Sequence, residues 1–338
     1  MFAVVLFSRA RITRDTASLF RTVGLNVRLG MLPLLELPAF SGAAPLPPAT
    51  HSELVRLRAE RPVLYQLLDA QERTALAEAT RAAAARDQLA EQAERSTALA
   101  RTLQESLLPS DLPAIVGGSA AALFRPAGDG SEVGGDFYDL FPIRRGQWGV
   151  VMGDVSGKGA GAAALTALAR HTVRSSALRE ADPVDVLTEL NEAVIRNHGE
   201  TDRYLTAAYA VLRRLRDRAE ISLALAGHPQ ALVLRADGAV HAHGDPGTPL
   251  GMFADISLRR SDFTLGVGDT IVLHTDGVTD ARNEQDGFFG LDRFASLLAS
   301  LQGAPVSEIV SGVDAVLEDY QGGRAADDTA LLAIQLTR

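Results

Sequence analysis

Four aspartates stand where apolar, strand-like runs give way to glycine-rich turns. Asp136 lies in Gly134-Gly135-Asp136-Phe137-Tyr138-Asp139, and Asp154 in Val-Val-Met-Gly-Asp-Val-Ser-Gly-Lys-Gly. Asp276 lies in Val-Leu-His-Thr-Asp-Gly-Val, and Asp327 in Ala-Asp-Asp328-Thr-Ala-Leu-Leu. A carboxylate at a strand end packs poorly and grips a hard cation well. Several of them brought together repel one another and raise their own pKa values. A divalent cluster is the usual way to make such a group stable. Two hard cations held in this way can activate a water and neutralise a phosphate, which is the chemistry of a metal-dependent hydrolase. It needs no side-chain nucleophile, and the chain has neither a Gly-x-Ser-x-Gly elbow nor a His-Glu-x-x-His zinc motif.

The run ending at Asp154 is apolar throughout and opens into a turn where Gly153, Gly157 and Gly159 allow close backbone approach. The carbonyl of Val155 there is a further oxygen donor. Gly157-Lys158-Gly159-Ala-Gly-Ala162 imitates a dinucleotide fingerprint. That motif calls for no carboxylate at the docking point and for strand–helix alternation, which residues 204–235 lack. A Walker A loop fails because Gly159, not Ser or Thr, follows Lys158. Asp139, Asp280 and Asp328 each fit an ordinary turn, and His274 reads as a packed core residue.

The elements that must position these residues follow from periodicity. Strands are expected at 120–125, 137–143, 147–153, 204–212, 219–226, 231–235, 257–263, 270–275 and 329–336. Helices are expected at 160–178, 183–197, 291–301 and 306–320. Runs of strands interrupted by helix pairs point to an α+β fold, a sheet sandwich covered by helices. Three regions are expected: a small α/β module over 1–68, ending in a strand at 62–68; a linker helix over 69–109; and a catalytic domain over 110–338. The linker is rich in Ala, Glu, Arg, Gln and Leu and lacks Gly and Pro until Pro109. Its weak heptad seam, through Ala75, Ala82, Leu89, Ser96 and Leu103, suits either packing on its own domain or dimerisation.

The net charge of −9 argues against nucleic-acid binding. No cysteine is present, so disulfides and thiolate metal sites are excluded. The apolar start is too short to span a bilayer and no cleavage site follows it, so no membrane association and a cytoplasmic location are expected.

Five motifs occur here in the order seen in metal-dependent protein phosphatases of the PPM family. They are Gly-Gly-Asp136-Phe-Tyr-Asp139, Gly-Asp154-Val-Ser-Gly-Lys-Gly, Ala-Gly227-His-Pro, Thr-Asp276-Gly-Val-Thr-Asp280 and Asp327-Asp328-Thr. The chain most resembles the bacterial branch containing SpoIIE and RsbU, of which Leu-Gln-Glu-Ser-Leu-Leu-Pro at 103–109 is also typical. The resemblance covers roughly residue 98 to the C-terminus. It implies a β-sandwich flanked by helices that carries two Mn2+ or Mg2+ ions. Asp154 would bridge them, with the Val155 carbonyl beside it. Asp276 and Asp327 would complete one ion's shell, and Asp136 would serve the other through water. Asp328 is the alternative to Asp327. Asp136, Asp154 and Asp276 are thus the expected catalytic set. Ser156 stands where eukaryotic members place a histidine as proposed general acid, which leaves that role unassigned; Gly227-His228-Pro229 reads as a structural turn. The resemblance further implies a phosphoserine/phosphothreonine protein phosphatase acting on a phosphorylated anti-anti-sigma (STAS) protein. A homodimer would form through the linker, and movement of that helix would shift the turn carrying Asp136 or Asp154. The alternative is a non-catalytic pseudophosphatase scaffold.

Overall fold

The computed structural model describes residues 59, 62–128, 132–197, 203–283, 285, 287–323, 325 and 327–337. Most of the module expected over 1–68 lies outside them. Its last segment is a correction. Pro62–Leu68, expected as a strand, forms the first turns of helix α1, which runs unbroken over Pro62–Leu107. The apolar run Val63–Leu68 suits strand or helix. Proline is well placed at a helix's first position, and no breaker separates it from the Ala-rich stretch that follows.

The chain divides after Leu89. The second unit, Ala90–Arg338, is built on two five-stranded antiparallel sheets. One has the order β1 (Gly118–Arg125), β10 (Thr329–Leu336), β9 (Thr270–His274), β6 (Ala231–Leu234), β7 (Val240–His243). The other runs β2 (Asp136–Arg144), β3 (Gln147–Val155), β4 (Leu205–Arg214), β5 (Arg218–Ala226), β8 (Arg260–Gly266). Residues such as Leu140, Met152, Ala208 and Leu223 meet Leu273, Leu332 and Ile334 between the sheets. The outer face of the β2–β8 sheet is covered by α2 (Ala160–Ala177) and α3 (Pro183–Arg196), through Phe137, Val151 and Tyr209 against Ala169, Val173 and Leu190. The outer face of the other sheet is covered by α5 (Leu291–Ser300) and α6 (Val306–Gln321), through Val272 and Leu331 against Phe294, Leu298 and Val313. A single turn, α4 (Asp276–Thr279), follows β9. Among the described residues no helix is long and apolar enough to cross a membrane.

Burial on both faces explains why β3 reads as an unbroken apolar run rather than an alternation. Its glycines are packing devices. A methyl group at Gly153 would lie 2.6 Å from the Phe137 ring and 2.7 Å from the Thr206 carbonyl oxygen. Gly153→Ala should therefore lower stability by about 1–3 kcal/mol through overpacking, read as a fall in denaturation midpoint. An unchanged midpoint would show that β3 and β4 are not held at this spacing.

Candidate active site

The strand register sets Asp136 directly opposite Asp154. Asp136 is only 2% exposed, and the Val155 N–H donates to the Gly135 carbonyl at 3.1 Å beside the pair. Gly134 and Gly135 allow the turn to press in. A Cβ at Gly135 would sit 2.1 Å from the Val155 carbonyl oxygen, and one at Gly134 2.1 Å from Asp328 Oδ2. From the opposite sheet, the Thr275 hydroxyl donates to Asp136 Oδ2 at 2.7 Å and accepts the Ala330 N–H at 3.0 Å. The next residue, Asp276, opens α4 with its side chain partly open to solvent.

Asp327 and Asp328 differ sharply. Asp328 is buried, and both its oxygens are taken by backbone donors: Ala127 N–H at 2.7 Å and Gly135 N–H at 3.1 Å. It clamps the Gly134-Gly135 turn to the segment that leads into β10. Asp327 has a side chain 60% exposed, with Lys158 Nζ 3.7 Å away.

The carboxylates raise one another's pKa. Asp136 is driven well above the ordinary range, first by burial and then by the charge of Asp154. Asp154 is pushed up to about 7 by burial and by Asp276, Asp327 and Asp328. Asp276 is raised by burial and by Asp327 and Asp280. The interaction with Asp136 partly offsets the rise at Asp154. Protonating a carboxylate or adding a cation relieves the same repulsion. The donors are all oxygen, which fits a hard divalent ion. Among the described residues no three acidic or imidazole side chains converge around one point at coordinating distance.

Several supporting residues differ from their expected roles. Asp139 is no turn residue. It lies inside β2, fully buried, and takes Arg174 at 2.6 and 2.8 Å and Arg170 at 3.2 Å, both one turn apart on α2. Arg170 also donates to the Leu107 carbonyl at the end of α1. Asp280 is the exposed C-cap of α4. His274 is a packed residue, edge-on to Phe294 at 5.0 Å. His228 does more than turn the chain. Its Nδ1 pairs with the Thr206 hydroxyl at 2.8 Å, and Thr206 stands opposite Asp154 on β4. Burial, with His274 nearby, lowers its pKa to about 3 and keeps the ring neutral. The Ser156 hydroxyl accepts the Tyr204 N–H at 3.0 Å.

Sequence reasoning missed Gln104. Near the end of α1 it is buried, accepts the Gly134 N–H at 2.8 Å and donates to the Asp136 carbonyl at 3.5 Å. It stands in the Leu-Gln-Glu-Ser-Leu-Leu-Pro run at 103–109, but nothing in that run says which groups its side chain meets. Thr275 was hidden for a similar reason, as a β-branched residue in a β-run.

The sequence also matches a family model. Residues 144–337, more than half the chain, fit that of stage II sporulation protein E (SpoIIE). The chain belongs to this family. It sits in the SpoIIE/RsbU-like branch of the PPM phosphatases. It is 31% identical to phosphoserine phosphatase RsbP of Bacillus subtilis (strain 168) over 153 residues, 44% of this chain and 38% of that protein. It is 26% identical to phosphoserine phosphatase RsbU of the same organism over 238 residues, 70% of this chain and 69% of that one. It therefore spans well under half the length of RsbP. The SiaA-PP2C domain of Pseudomonas aeruginosa superposes with a TM-score of 0.61 at 23% identity, over 75% of this chain and 99% of the domain, and shares the fold.

The Asp139 cluster generates a prediction. Asp139→Ala leaves two guanidinium groups without their buried partner. It should cost about 3 kcal/mol, the lower end for such a loss because Arg174 is half exposed. Chemical denaturation measures this, and a loss under about 1 kcal/mol would mean that the cluster does not tie α2 to β2.

Proposed function

We propose that this chain is a divalent-metal-dependent phosphoserine/phosphothreonine protein phosphatase. We further propose that it acts on a phosphorylated anti-anti-sigma (STAS) protein in partner-switching control of a sigma factor. The observation that carries the phosphatase reading is the facing Asp136–Asp154 pair, with Asp276 and Asp327 beside it, in the motif order of the family. The substrate class draws on the likeness to RsbU and RsbP.

In this reading Asp154 would serve both ions, with the Val155 carbonyl as a further donor; Asp276 and Asp327 would complete one ion's shell, and Asp136 would serve the other. Asp328 supports the turn, each of its oxygens accepting one backbone N–H, and is the alternative to Asp327 as a ligand. Two Mn2+ or Mg2+ ions would supply Lewis-acid activation of water and charge neutralisation on the phosphoryl group. Thr275 fixes the orientation of Asp136 across the sheets. Asp328 and Gln104 hold the turn on which Asp136 depends. His228, neutral, braces Thr206 behind Asp154. Homodimerisation in the cytoplasm through α1 belongs to the same reading, supported by the exposure of Leu76, Leu89, Leu99 and Leu103 along that helix.

Asp154→Asn and Asp276→Asn should each fold and lose Mn2+-dependent hydrolysis of p-nitrophenyl phosphate and phosphoprotein by more than about a hundredfold, the scale of several kcal/mol of lost charge stabilisation. Retained turnover in either purified variant would refute the site.

A further inference from the structure

Among the 33 lysine and arginine residues of the chain, one alone is a lysine. That residue, Lys158, stands on the turn that follows Asp154 and Val155 at the end of β3. Gly157 and Gly159 on either side of it hold φ of 81° and 85°, a backbone that residues with a Cβ rarely adopt. Between Ser156 and Ala160 the turn therefore presents one side chain, and it is a cation. Its ammonium nitrogen lies 3.7 Å from Asp327 Oδ1, with the two side chains 35% and 60% exposed. An ion pair so open to water adds little stability. Fold stability thus gives no reason for the one lysine to stand here.

The backbone beneath Lys158 is fixed. The Ser156 N–H donates to the Tyr204 carbonyl at 2.9 Å, and the Gly159 N–H to the Val133 carbonyl at 2.8 Å. Val133 leads into the turn before Asp136, so the lysine is anchored to both acid-bearing segments. Arg203 donates to the Ser156 carbonyl at 2.5 Å. Its guanidinium fills the space against Gly157 and Gly161, where a Cβ would lie 2.4 and 2.9 Å from it. The flexible four-carbon stem of Lys158 can therefore move its charge while the turn stays in place.

Asp327 is drawn two ways. It is paired with Lys158, and it also belongs to the acid cluster: burial raises Asp154 and Asp276, and the charge of Asp327 adds to both. A divalent ion taken by Asp327 would sit close to the ammonium and repel it. The ammonium then needs another anion. A phosphoryl group brought to the ions supplies one, since it is dianionic and the carboxylates themselves offer it only repulsion. Arginine would serve such an exchange poorly. Its planar fork grips a carboxylate through two parallel hydrogen bonds and would hold Asp327 back from the ion. Lysine presents a single compact charge that lets go.

We infer that Lys158 exchanges partners: it neutralises Asp327 while no ion is bound, and binds a phosphoryl oxygen of the substrate once Asp327 holds an ion. The inference rests on the phosphatase reading above, with Asp327 as a ligand. It gives the chain a cationic contact to phosphate of its own, besides the ions.

The test uses the full chain and the variants K158M and K158R. Calorimetry measures Mn2+ affinity. Hydrolysis of p-nitrophenyl phosphate gives kcat and the competitive inhibition constant of inorganic phosphate. K158M should melt with the parent and bind Mn2+ several-fold more tightly, because no ammonium competes for Asp327. K158R should bind Mn2+ several-fold more weakly. In K158M the inhibition constant of phosphate should rise by about tenfold, the loss of one charge-assisted hydrogen bond, while kcat stays within about threefold. Equal phosphate constants in parent and K158M would overturn the inference and leave the phosphatase reading intact; a fall in kcat alongside them would assign Lys158 to the leaving group instead. Equal Mn2+ affinities in all three proteins would overturn it too, by showing that Asp327 is not shared. So would loss of Mn2+ binding in K158M, since Lys158 would then support the ion site itself. A parent that neither binds Mn2+ nor hydrolyses the ester would overturn the phosphatase reading, and this inference with it.

Discussion

Asp136, buried, and Asp154, half-buried, face each other across two adjacent strands, and the repulsion between them sets the terms for the structure around them. Two unit charges about 5 Å apart at an effective dielectric of about 20 repel by about 3 kcal/mol. That is a sizeable share of a domain's net stability. The site is held closed against this from three directions. Thr275 reaches from the opposite sheet to Asp136, Asp328 binds the Gly135 N–H, and Gln104 binds the Gly134 N–H. The fold thus spends hydrogen bonds from both sheets and from α1 to keep two acids together. That arrangement stabilises nothing unless a proton or a cation sits between them.

The same contacts place the end of α1 in the site's support. Gln104 touches the turn before Asp136, while the Leu107 carbonyl meets Arg170, which reaches Asp139 three residues further along β2. One helix end therefore meets one end of the segment that carries Asp136 directly and the other through Arg170. A change in the position of that end cannot leave the turn unaffected, because Gly134 would lose its buried acceptor. Such a two-point attachment provides a physical route by which an upstream event could bias the spacing of the carboxylates.

Much of this was readable in the chain. Apolar runs punctuated by glycine-rich turns located most strands, and helical periodicity the four longer covering helices, within a few residues. The four aspartates were legible because an acid after an apolar run has few bland explanations. Pro62–Leu68 misled, since a six-residue apolar run has no period of its own and only the helix downstream decides it. β7, Val240–His243, carried two histidines and too few apolar residues to register. Asp139 looked like a turn because its partners, Arg170 and Arg174, are more than thirty residues away. The division of labour between Asp327 and Asp328 depends on which of two neighbouring side chains meets the Gly135 N–H, and no local pattern encodes that.

The central claim is that the raised carboxylates exist to take up cations. Calorimetric titration of the intact chain with Mn2+, run in two buffers of different ionisation enthalpy, tests it most directly. A metal must displace any proton that the raised carboxylates hold, and burial with the neighbouring acids pushes Asp154 up to about 7. Binding should therefore release protons at about pH 6, and the release should shrink as the pH is raised to about 8.5. Asp154→Asn should abolish the tight binding phase. Absence of Mn2+ binding, or binding with no buffer dependence at either pH, would contradict the account.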